Sequence, residues 1–150
     1  MALSNQTKRR VVIALADRTA GNEVIGAIGV YGGFRVNHDA SVQLSAGDCI
    51  AVPDSGGAPG TYRVMFPSIN AQIQSIDWVD VQGFTPRAPT GVETDVARVT
   101  GYNFDPSLKQ WYITVQIALI SSNAVDPTPP ANFTIGVRAA VTLLPTANAL

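Results

Sequence analysis

Charge is what this sequence has least of. Only 14% of its 150 residues are Asp, Glu, Lys or Arg, where an ordinary soluble domain carries about 25%. The net charge is −1, so no overall basic field exists to draw in nucleic acid or an anionic membrane. There is one histidine, His38, and one cysteine, Cys49. A single cysteine excludes an internal disulfide and suits a reducing compartment. No phosphate loop, dinucleotide-binding glycine fingerprint, CxxC pair or HExxH is present, so no cofactor is expected. Long apolar runs are missing too. Val11 to Ala16 follows the basic triplet Lys8-Arg9-Arg10 and imitates a signal peptide, but it stops at Asp17 after six residues. A signal core needs about 7–15 and a membrane helix about 20. The expectation is a soluble chain, made in the cytoplasm, with no membrane partner.

What is present is small, neutral and oily. Hydrophobic residues make up 46% of the chain, and Ser, Thr, Asn, Gln, Gly and Pro fill most of the rest. Such a surface suits coverage by neighbouring subunits, because no desolvated ion there would need a partner. At this length a chain buries roughly 68–70% of its unfolded surface, enough for one domain without a metal or disulfide.

Two textures follow each other along the chain. Residues 4–31 read as helical: Ser4 or Asn5 can cap the first turn, and Val11, Val12 and Leu15 share one face. Thr19 is a possible second cap, although Gly21, Gly26 and Gly29 each weaken a second helix by about 1 kcal/mol. Beyond Gly32-Gly33, short β-like runs alternate with Gly/Pro turns. Strands are expected at 34–37, 42–45, 48–52, 61–66, 69–82, 92–102, 111–120 and 132–144. In 111–119 and 133–143 strict alternation sends Ile113, Val115, Ile117, Phe133, Ile135 and Val137 to one side, as a half-buried strand requires. Segment 69–82 slips phase, which a β-bulge near Ser75 or burial of both faces would explain. The expected fold is mainly β: a jelly-roll-like antiparallel β-sandwich over 34–150, preceded by an N-terminal helical arm over 1–33.

Candidate chemistry is sparse. His38 stands beside Asp39, but neighbours on a strand point to opposite faces, so a loop or strand-edge histidine is expected. Cys49 sits in an apolar run and reads as core packing. Among the acids, Asp77/Asp80 and Glu93/Asp95 are the close pairs, and no calcium-loop spacing surrounds them. Trp78, Phe84, Tyr102, Phe104, Trp111 and Tyr112 fit either a sandwich core or a sugar-stacking platform. No catalytic or metal-binding residue is assigned, and the chain is expected not to be an enzyme. Lys8, Arg9 and Arg10 on the arm, with Trp78 and Phe84 on the sandwich, are the candidate partner contacts. The arm either reaches a neighbour or packs on the end of the sandwich.

The opening Leu3 to Arg10, followed by Ala14-Leu15-Ala16-Asp17-Arg18 and Asn22-Glu23-Val24-Ile25, resembles small structural proteins from tailed-bacteriophage heads. Gly60-Thr61-Tyr62-Arg63-Val64-Met65-Phe66 and Ala131 to Arg138 are similar to the same group, through a turn entering a G-x-Y-x-V strand and a polar turn before a final long strand. These motifs are short and carry no catalytic residues. The resemblance implies a virion protein, commonly a capsid decoration (cement) protein. It would form a homotrimer and bind the major capsid protein or another virion component. A head, neck or tail-associated module that binds a receptor or carbohydrate is the alternative.

Overall fold

A computed structural model of the chain describes residues 27–69, 72–85 and 94–143. Eight strands make up its regular structure: β1 (Ala27–Val36), β2 (Val42–Gly47), β3 (Ile50–Pro53), β4 (Thr61–Met65), β5 (Ile73–Phe84), β6 (Asp95–Asp105), β7 (Gln110–Leu119) and β8 (Phe133–Leu143). They form two four-stranded sheets, ordered β2-β1-β8-β5 (sheet A) and β3-β4-β7-β6 (sheet B). Every pairing is antiparallel. The expected β-sandwich is what forms, with the first and last strands paired at the centre of sheet A.

The core is the inward parity of both sheets. Ile28, Val30, Phe34 and Val36 of β1 meet Ile113, Val115 and Ile117 of β7 and the odd positions Phe133 to Val141 of β8, all within one buried cluster. Burying each large side chain stabilises by about 1.5–3 kcal/mol. Tyr62 is fully buried, and its hydroxyl donates to the Ala40 carbonyl at 2.7 Å. Its ring meets Phe34 at 5.1 Å between centroids. A buried phenol needs such a partner.

The N-terminal boundary needs correction. Helix was expected as far as residue 31 and an arm as far as 33, but residues 27–33 belong to β1. The glycines that weaken a helix here serve a strand with a close neighbour. The Cys49 sulfur lies 2.7 Å from where a Cβ on Gly32 would stand, so the thiol fills the inward gap between Val30 and Phe34. The rest of the arm, including Lys8, Arg9 and Arg10, lies outside the described residues.

The phase slip in 69–82 is a real irregularity. β5 shifts register against β8 between Ile73 and Ser75 and again between Ile76 and Trp78. These two shifts turn Ile73, Ile76, Val79 and Val81 toward the core, because each pairs beside an inward residue of β8. They also leave Trp78, Asp80, Gln82 and Phe84 together on the outer face. A bulge thus sets which side chains the surface presents.

Candidate functional site

The outer face of sheet A gathers the two predicted sandwich contacts. Trp78 is opposite Ala140, Asp80 opposite Arg138, Gln82 opposite Gly136 and Phe84 opposite Thr134. Cross-strand partners share a face, and Arg138 is in turn opposite Tyr31 of β1. Trp78, Phe84 and Tyr31 are each about half exposed, at 49%, 50% and 56%. Between Tyr31 and Phe84 runs an open groove of about 310 Å³ with Gly136 in its floor and Asp80, Gln82 and Arg138 on its walls. Arg138 donates to Asp80 at 2.7 Å, and its guanidinium carbon lies 5.8 Å from the Trp78 ring centre. Where Gly29 has no side chain, the Tyr31 ring leans in, 2.9–3.2 Å from the position a Cβ would take.

A second apolar patch caps the β6–β7 hairpin. Tyr102 pairs with Ile113 and Phe104 with Trp111, which places both aromatics on the core-facing side of sheet B. Yet Tyr102 is 44% and Phe104 47% exposed, and Leu108 at the turn is 62% exposed. The Phe104 and Trp111 rings pack at 5.5 Å, and Trp111 closes against the core. The hairpin is held stiffly. Asp105 Oδ1 accepts from the Ser107 hydroxyl at 2.6 Å and amide at 2.9 Å and from the Leu108 amide at 3.2 Å. The Ser107 hydroxyl above all holds the Asp105 carboxyl below its usual range. Arg63 stacks over Tyr112 at 4.5 Å and reaches Asp105 at 3.8 Å.

The six aromatics weighed as core or platform therefore divide. Trp111 belongs to the core margin, Tyr112 lies beneath Arg63, and Trp78 with Phe84 face outward from sheet A. Tyr102 is on the other sheet, so it does not complete a platform with them.

Among the described residues, His38 and Cys49 do not come together as a nucleophilic pair. His38 Nδ1 lies 2.8 Å from the Pro129 carbonyl, an acceptor, so that nitrogen donates. Asp39 binds Ser41 rather than His38. Cys49 is buried, and burial first, then the Asp48 charge, pushes its thiol up to about 11. That disfavours the thiolate a nucleophile needs. Of the acidic pairs, Asp77 accepts from Ser75 at 2.7 Å and from Thr142, while Asp80 engages Arg138. Glu93 lies outside the described residues. Among the described residues no three His, Cys, Asp or Glu side chains converge as metal ligands, and no helix is long and apolar enough to cross a membrane.

One carboxyl pair escaped the sequence reading. Asp95, 4% exposed, and Asp126, 6% exposed, are buried together. Thr94 donates to Asp95 Oδ1 at 2.7 Å, whereas Asp95 Oδ2 receives no hydrogen bond among the described residues. Burial, then the hydrogen bond to Asp126, pushes the Asp95 carboxyl up to about 6. Burial also opposes charge on Asp126, but hydrogen bonds from Asp95 and from the Thr128 amide and hydroxyl outweigh it and lower its pKa. Below about pH 6 Asp95 is the member of the pair that carries the proton and Asp126 the one that stays ionised, because burial and a like-charged neighbour both disfavour a second charge. The signal was parity: Asp95 is in phase with the inward Ala97 and Val99.

The chain matches no family model, no curated protein and no solved structure.

Proposed function

We propose that this chain is a non-enzymatic structural subunit of a tailed-bacteriophage virion, a capsid decoration (cement) protein that binds the shell as a homotrimer. The observation that carries the reading is the β6–β7 hairpin, where Tyr102, Phe104 and Leu108 stand 44–62% exposed on a stiff, preorganised turn. A monomer gains nothing from holding three large apolar side chains in water, whereas a partner surface that covers them gains about 25 cal/mol per Å² of apolar area. Rigidity lowers the entropy lost on docking.

The low charge of the chain supports the same reading. A specific interface of standard size removes about 800 Å² from each partner, and few ions here would be stranded by it. Trimerisation makes later contacts with a repetitive shell intramolecular, which raises avidity by about 10²–10⁴. The partners are then the chain itself and the major capsid protein or another virion protein, without direct contact to nucleic acid or membrane. Co-sedimentation with shells built from the capsid protein of the same particle tests this. The chain pellets with the shells, and Phe104→Ser together with Leu108→Ser leaves it in the supernatant. A wild-type chain that never pellets contradicts the proposal.

A further inference from the structure

We infer that the groove on the outer face of sheet A is a binding site for a neutral pyranose glycan. This goes beyond assembly, since it concerns a different sheet from the hairpin and needs no oligomer.

The wall chemistry is mixed in the way a sugar ring is mixed. A pyranose has an apolar face of C–H groups, whose partial positive charge suits the negative face of an aromatic ring. Its edge carries hydroxyls that both donate and accept. Tyr31 and Phe84 stand half exposed on either side of a glycine floor, and the Phe84 ring passes 3.7 Å from where a Cβ on Gly136 would stand. Bare backbone there leaves the depth that a side chain would fill. Around these rings Asp80 supplies acceptors, Arg138 a planar fork of donors, and Gln82 one of each kind. The Gln82 side chain makes no hydrogen bond among the described residues, so its amide is free for a ligand.

Charge decides between ligand classes. Arg138 and Asp80 neutralise each other across 2.7 Å, so an anionic ligand would find its cation already taken and a carboxylate beside it. A neutral polyol can bridge the pair without breaking it. An added peptide strand is disfavoured because the groove lies on a sheet face, where backbone groups are already paired within the sheet, rather than on an edge. The volume of about 310 Å³ lies at the small end of ligand sites, which suits one or two sugar rings.

The test is a printed array of defined neutral and acidic glycans probed with the full chain, followed by calorimetric titration of each glycan that binds. At least one neutral glycan binds. Tyr31→Ala and Phe84→Ala each weaken it by about tenfold or more, Gln82→Ala weakens it, and Leu108→Ser on the hairpin leaves it unchanged. Light scattering gives the same oligomer mass for all four variants except Leu108→Ser. If Tyr31→Ala does not fold, Tyr31→Phe and Gln82→Ala carry the comparison. The inference is overturned if no glycan binds, if only acidic glycans bind, or if affinity survives in both aromatic variants. It is equally overturned if those variants change oligomer mass or shell binding, which would mark this face as a protein interface. Loss of trimer or shell binding in Leu108→Ser alone bears on assembly and leaves the groove standing.

Discussion

At the scale of single residues, the buried carboxyl pair carries the clearest consequence. Asp95 has its folded pKa raised from the ordinary 3.8 to about 6. The fold therefore favours its protonated form, and that contribution is complete below about pH 4 and is lost as pH rises through about 6. Asp95→Asn keeps a donor toward Asp126 and removes the ionisable group. The variant gains stability on the order of 1–2 kcal/mol at pH 8 and little at pH 4. Thermal unfolding at pH 4, 6 and 8 checks this; a pH-independent difference contradicts it. Cys49, buried with its thiol pushed up to about 11, reacts negligibly with a disulfide reagent at pH 7.4 until the chain is unfolded, when one equivalent is titrated. Its role was legible because an apolar run surrounds it. Asp95 was harder to read, because its partner Asp126 stands far along the chain in a loop and only spatial proximity makes the pair.

At the scale of elements, eight strands are expected and the described residues hold eight, since strict alternation in β7 and β8 and proline-rich breaks leave few other choices. The bulge in β5 was legible as a slip of phase. β1 was the misreading. Glycines at 29, 32 and 33 hid the two-residue period of Ile28, Val30, Phe34 and Val36, and the contact that explains Gly32 comes from Cys49 in another segment. Gly60 shows how turns bind these elements together. It has φ +97°, and a Cβ there would stand 2.5 Å from the Asp126 carbonyl oxygen. Gly60→Ala therefore destabilises by about 1–3 kcal/mol, read as a lower midpoint in a urea titration. Within the β6–β7 hairpin the two positions differ. Leu108→Ser alters a position 62% exposed, so unfolding shifts by less than about 1 kcal/mol. Phe104→Ser also gives up the ring contact with Trp111 and costs about 1–2 kcal/mol. On the proposed reading both weaken self-association.

At the scale of the whole molecule, the same composition that gives a neutral sandwich gives two apolar surfaces on different sheets. Trp78 and Phe84 were legible as contacts, but their shared outward face was not. Ile76 and Trp78 have the same parity in the sequence, and Phe84 falls beyond the expected strand 69–82. Only the second register shift, between Ile76 and Trp78, turns the two faces apart. Tyr31 was not legible, because its segment read as helix. The exposed hairpin was not either: Tyr102 and Phe104 have inward parity, and only the assembled sheets show that their end of the core-facing side is left bare. The two proposed engagements, one with copies of the chain and the shell and one with a glycan, use different sheets and so do not compete for the same residues.

The most direct measurement is the mass of the purified full chain by size-exclusion chromatography with light scattering, made alongside Phe104→Ser/Leu108→Ser. Three times the 15.8 kDa of one chain is expected for the wild type and a single chain mass for the variant. A wild-type chain that stays monomeric at every concentration contradicts the account.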